Sequence, residues 1–251
     1  MKFNRLIPVL VVMNLVLCSA RAKSGPGDSS YQMQVTARYS LAVPEPSDLC
    51  WHIDQNYLWT VSDQTNRVYL ISRQGEVIKM LDWQGDDLEG IALRLSDTTL
   101  WVAEERLRDI VQLDTIGHEL ARFHLDLTGA ANSGLEGICI SADGVFFVLN
   151  EKNPGLLVKL NSDFSINRKI ALDKALDYSG ITYDPMLDCF WIISDESALL
   201  FRWSEHEGIS VEYSLPDHKM EGLVINAESG AFLLVNDQSE ELIECRRIDS
   251  K

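Results

Sequence analysis

Short apolar runs recur at even spacing along this chain, each alternating apolar with polar positions and each bounded by Gly, Asp, Asn or Ser. Aromatic and β-branched residues dominate the runs, and that combination predicts strands. Five segments share one pattern: a small or acidic residue, then usually Gly, then an alternating strand. They are Ser47-Asp48-Leu49-Cys50-Trp51, Glu89-Gly90-Ile91-Ala92-Leu93, Glu136-Gly137-Ile138-Cys139-Ile140, Ser179-Gly180-Ile181-Thr182-Tyr183 and Glu221-Gly222-Leu223-Val224-Ile225. Their starts lie 42, 47, 43 and 42 residues apart. A second strand follows in every segment, over 58–63, 100–105, 146–151, 190–195 and 232–237, each ending on an acid. Two columns recurring in register mark a true internal repeat.

Two more strands complete each unit. In the first they fall at 67–72 and 76–83, and in the fourth at 199–203 and 209–215. Four short strands per repeat is the pattern of a propeller blade. A sandwich would leave the common period of both columns unexplained. The last unit supplies only three strands, at 221–225, 232–237 and 241–248, and the missing fourth is available at 33–41. The expected fold is therefore an all-β, five-bladed β-propeller over 33–251, closed by an N-terminal strand that covers an otherwise open sheet edge.

Residues 1–22 read as a targeting segment rather than as part of the fold. Lys2 and Arg5 precede an apolar stretch over 6–17, too short to span a membrane comfortably. Two processing readings stand side by side. Ala20-Arg21-Ala22 is a small-x-small cleavage site, while Leu15-Val16-Leu17-Cys18 has the form of a lipobox with Cys18 as the lipidated residue, although Leu17 replaces the usual small residue. Both imply export, to the periplasm or to a lipid anchor. The Ser/Gly/Pro-rich stretch 23–32 reads as a linker.

The chain carries a formal charge of −16, and loss of the three basic residues of 1–22 would make it −19. Such a balance argues against nucleic acid as a partner. The acids are not scattered. In a propeller the start of each first strand and the end of each second strand share one rim. This gathers Glu89, Glu136 and Glu221, with Ser47 and Ser179 completing their ring. Asp63, Glu105, Glu151, Asp195 and Asp237 form the second column at the same end. Like charges so crowded raise one another's pKa unless something neutralises them. Calcium, with six to eight oxygen ligands, suits the donor set, and the absence of His or Cys from the columns disfavours zinc and copper. The competing reading is structural: solvated acids, or acids accepting N–H bonds from adjacent turns, with Arg106 and Lys152 pairing with the acids beside them.

Other chemistry is sparse. His218, three residues before Glu221, is the one histidine expected near the rim, as a general base beside a metal-bound water or simply as an exposed loop residue. No Gly-x-Ser-x-Gly elbow, phosphate loop or Cys/His pair occurs. Trp51, Trp59, Trp101 and Trp191 fall at strand positions and read as core. Cys50, Cys139, Cys189 and Cys245 match no zinc spacing; export permits disulfides, but Cys50 and Cys139 occupy equivalent repeat positions and read as small buried residues.

The repeated motif at 88–91, 135–138 and 220–223, together with Ser-Gly-Ile-Thr-Tyr-Asp-Pro at 179–185, resembles the SdiA-regulated (YjiK-like) propeller family, which is distantly similar to NHL-repeat and esterase-like propellers. The resemblance spans about 35–248. It implies an exported or membrane-anchored five-bladed propeller with a calcium site and no established activity. By that resemblance Glu89, Glu136 and Glu221 are the first ligands and the second-column acids their helpers. The first unit departs from the pattern with Asp48 in place of Gly, and Ser47 and Ser179 replace the glutamate. Three functions stand open: a calcium-stabilised binding or scaffold propeller of the bacterial envelope, a calcium-dependent esterase, lactonase or phytase-like hydrolase, and a metal-free protein-interaction platform. A monomer is expected.

Overall fold

The computed structural model describes residues 31–129 and 133–248, and the targeting segment and most of the linker lie outside them. Among the described residues there are twenty strands and no helix. β1 (Gln32–Ser40) precedes the repeats. The first repeat comprises β2 (Pro46–Trp51), β3 (Tyr57–Ser62), β4 (Arg67–Ser72) and β5 (Val77–Gln84). The second holds β6 (Leu88–Arg94), β7 (Thr99–Glu104), β8 (Asp109–Leu113) and β9 (Glu119–His124). The third holds β10 (Leu135–Ile140), β11 (Phe146–Asn150), β12 (Leu156–Leu160) and β13 (Ile166–Ala171). The fourth holds β14 (Gly180–Asp184), β15 (Cys189–Ser194), β16 (Leu199–Ser204) and β17 (Gly208–Ser214). The last has β18 (Met220–Asn226), β19 (Ala231–Asn236) and β20 (Glu241–Ile248).

The first three repeats each form a four-stranded antiparallel meander. The remaining strands form one eight-stranded sheet, ordered β14-β15-β16-β17-β1-β20-β19-β18, where five separate sheets were expected. The junction is slight. β1 runs antiparallel to β20 from Gln32↔Ile248 to Ser40↔Glu241, but meets β17 through the single parallel pair Gln32↔Ser214. Two meanders therefore touch at one corner of their outer edges, where the Ser214 N–H donates to the Tyr31 carbonyl at 3.3 Å. The chain thus fills the last repeat's vacancy with its own beginning.

Apolar alternation on both faces of each sheet produces five core clusters, each between two successive repeats. Trp59 and Val61 pack against Ile91 and Val102; Trp101 packs against Phe146 and Val148; Phe147 and Leu149 pack against Phe190 and Ile192. Trp191 and Ile193 then meet Phe232 and Leu234, and Leu233 and Val235 return to Leu49 and Leu58. The tryptophans Trp59, Trp101 and Trp191 are fully buried, as expected for core, and Trp51 is half-buried. First strands contact each other in cyclic order: β2 with β6, β6 with β10, β10 with β14, β14 with β18, and β18 with β2. This is an all-β, propeller-like ring. All four described cysteines are free, and Cys139, Cys189 and Cys245 are buried.

Candidate functional site

The sequence aims its acids by local irregularity. Pairing slips between Pro46 and Asp48, Leu88 and Gly90, Leu135 and Gly137, and Met220 and Leu223, so Ser47, Glu89, Glu136 and Glu221 each sit in a bulge of a first strand. A bulge re-aims the side chain it carries, here out of the sheet and toward the axis. The glycine that follows is a packing requirement. A Cβ on Gly222 would lie 2.3 Å from the Asp48 Cα, and one on Gly180 would lie 2.4 Å from the Glu221 carbonyl oxygen.

The second-column acids arrive differently. Each second strand stops one residue earlier than the pattern suggests, on Ser62, Glu104, Asn150, Ser194 or Asn236, and the acid follows just beyond the strand. The strand-end residues are occupied by local hydrogen bonds and ion pairs. Ser62 and Ser194 accept N–H bonds from Thr65 (3.0 Å) and Ser197 (3.1 Å), Asn236 accepts one from Ser239 (2.8 Å), and Glu104 pairs with Arg122. That leaves the following acid to face the centre.

The result is a cup of about 220 Å³ at one end of the axis. Its wall carries Glu89, Glu136, Glu221, Asp63, Glu151, Asp195 and Asp237, with Asp177 and Glu196. Nine carboxyls thus face two cations, Lys152 and Lys219. Glu105 joins from the side: oxygens of Glu105, Glu136 and Glu151 lie within 4.8 Å of one another, and a second group brings Glu151, Asp177 and Glu196 equally close.

Burial and mutual repulsion raise the pKa of Glu89, Glu136, Glu221, Asp63 and Glu105. Burial, then the charges of Asp195 and Asp237, push Glu221 up to about 8. Burial, then Glu45 and Asp237, push Asp63 up to about 6; burial and a hydrogen bond with Asp87 push Glu105 up to about 7. Glu89 and Glu136 are driven well above the ordinary carboxylate range, first by burial and then by neighbouring acids. Two oxygens are left over: Asp63 Oδ1 and Asp237 Oδ1 are buried without a hydrogen-bond partner. A buried acceptor with no donor carries a desolvation penalty, which a cation would offset. The donors are oxygens throughout, a hard set suited to calcium or magnesium.

The sequence matches the SdiA-regulated family over residues 26–231. The chain belongs to that family. No curated protein matches it. Among solved structures, it resembles a glutaminyl cyclase from Myxococcus xanthus at 12% identity, covering 87% of this chain and 98% of that one, with a TM-score of 0.69. It also resembles the virginiamycin B lyase of Staphylococcus aureus at 17% identity, covering 83% and 69%, with a TM-score of 0.53. A streptogramin B lyase matches at 13% identity over 88% of each chain, again with a TM-score of 0.53. At such identities the likeness carries the fold alone.

In this SdiA-regulated chain, seven of the eight acids singled out from the sequence line the cup and Glu105 flanks it. The structural role is also present: the Gly134 N–H donates to Glu105 Oε1 (3.0 Å), and the Lys219 N–H donates to Asp195. Lys152 pairs with Glu151 (2.5 Å) as expected, and also with Glu196 (2.9 Å). Arg106 does not pair with Glu105; it reaches back to Asp87 (2.8 Å) and Asp86 (3.5 Å). His218 is exposed and is not among the cup-lining residues, and its carbonyl accepts the Asn236 amide at 2.7 Å.

Sequence reasoning missed Asp177, Glu196 and the position of Lys219. Asp177 is buried and accepts bonds from the Ser194 hydroxyl and the Glu196 N–H (3.1 Å). The Lys219 ammonium lies 2.9 Å from Asp195 Oδ2 and 3.6 Å from Glu221 Oε1. A signal existed: Glu45, Asp87, Asp177 and Lys219 stand two residues before the first-column residue of their repeats. Three of them, Glu45, Asp87 and Lys219, share a left-handed backbone at φ 40°, 58° and 65°.

Proposed function

We propose that this protein is an exported, five-bladed calcium-binding β-propeller of the bacterial envelope, with a binding or scaffold role. One observation carries the reading: nine carboxyls converge on a small cup whose buried Asp63 and Asp237 oxygens lack donors. The five-blade count treats the eight-stranded sheet as two blades joined at one residue pair, and the cyclic first-strand contacts support it. Export rests on the basic and apolar pattern of residues 1–22.

Size favours an ion site over a hydrolase. Pockets that take drug-sized substrates measure roughly 300–1,000 Å³, and this cup, at about 220 Å³, suits an ion with its waters. The test is a calcium titration of chelator-treated protein followed by thermal unfolding, beside a Glu89→Gln/Glu136→Gln variant. The midpoint should climb with calcium in the parent and stay level in the variant, since an ion that binds only the folded state stabilises it by mass action. A parent midpoint indifferent to millimolar calcium would overturn the reading.

A further inference from the structure

The axis has a second opening. At the end opposite the acids, the first strands and the turns after them enclose a cavity of about 770 Å³. No residue lines both cavities. The separation has a cause in the sequence. The glycine level pinches the ring, with Gly222 against Asp48 and Gly180 against Glu221. Asp48, the one departure from glycine in that level, is fully buried and accepts the Ile91 N–H at 2.9 Å, tying β2 to β6. Beyond this plug the strands end in a blind cup.

Its wall is apolar. Every first strand contributes, through Trp51, Leu93, Ile140, Tyr183 and Ile225, and the first four are only half-buried. Ile53 and Leu95 stand on the rim at 50% and 69% exposure. The charged groups there are already satisfied. Arg94 is held by Asp97 through Nε, at 3.0 and 3.1 Å, and through Nη2, and lies 4.6 Å over the Trp101 ring; His52 Nδ1 lies 3.0 Å from Asp54. Cys50 and Cys139 add thiols whose pKa burial pushes up, so they stay neutral. Thr182 supplies a hydroxyl in the wall.

We propose that this cup binds a neutral, predominantly apolar small molecule, a function separate from ion binding at the acidic end. Its volume lies within the roughly 300–1,000 Å³ of small-molecule pockets, and concave apolar surface left wet is an uncompensated cost that such a ligand removes. A charged ligand would find no free counter-charge among the described rim residues.

The test uses the uncharged probe N-phenyl-1-naphthylamine with the full chain. Fluorescence should rise and saturate at one probe per chain, with a Kd on the order of micromolar. Thr182→Trp, which fills the cup, should weaken binding about tenfold or more while the melting temperature holds. Leu95→Asp, at an exposed rim position that cannot threaten the fold, should weaken it by roughly threefold to tenfold; it decides alone if Thr182→Trp does not fold. A rise that never saturates, or saturable binding untouched by Leu95→Asp, would overturn the proposal. So would concentration-dependent dimerisation that excludes the probe, which would make a second copy the occupant.

Discussion

Glu221 offers the sharpest electrostatic test of the acidic cup. In the unfolded chain its carboxyl would release its proton near 4.5, whereas in the folded protein it holds it to about 8. Between those values the folded state binds the extra proton, so stability falls as pH rises from 4.5 and the loss is complete above about 8. At about 1.4 kcal/mol per tenfold in proton affinity, the full penalty approaches roughly 5 kcal/mol. Local relaxation and water entry reduce what is realised to roughly 2–4 kcal/mol. Glu221→Gln removes the charge and keeps the shape. In chelator at pH 9 the variant should therefore melt above the parent by roughly 5–10 °C, and at pH 5 the two should nearly coincide. Calcium should reverse the order at pH 9, because it stabilises the ionised cup that the variant lacks. Differential scanning calorimetry across pH 5–9 reads all three. A parent melting temperature that is flat in chelator from pH 5 to 9 would refute the reasoning, because Asp63 and Glu105, pushed up to about 6 and 7, lose stability in the same direction.

Two further outcomes follow from the same structure. Gly222→Ala places a methyl 2.3 Å from the Asp48 backbone and should cost roughly 3 kcal/mol or more in urea unfolding, whereas Gly144→Ala meets no atom within 4 Å and should cost about 1 kcal/mol through its φ of +81° alone. Intact-mass measurement of protein made with its own N-terminus should find a chain beginning at Lys23 or at a lipid-modified Cys18; an unprocessed chain would remove the export reading.

How much of this was legible beforehand differs between fold and site. The last-repeat vacancy and the strand that fills it could be read directly, and β20 matches its expected bounds. The acid columns were also readable, since equivalent positions in a repeat must occupy equivalent places in a ring. Asp177 was overlooked, because it lies outside both columns, two residues before Ser179. Arg106 was assigned to its sequence neighbour, but strand-end geometry turns it toward Asp87.

The division has a physical basis. Periodicity and turn chemistry act over a few residues, so the sequence by itself determined the all-β character, the repeat, the register of the columns and the apolar clusters that join the sheets. Distances across the axis depend on how five first strands close on one another. Only the tertiary structure therefore decided that Glu105, Glu136 and Glu151 come within 4.8 Å while Lys219 occupies the Asp195 side. It also decided that the axis holds an acidic cup and a mostly apolar one with no lining residue in common. Those two facts arise from the approach of residues in different repeats, and no local pattern records them.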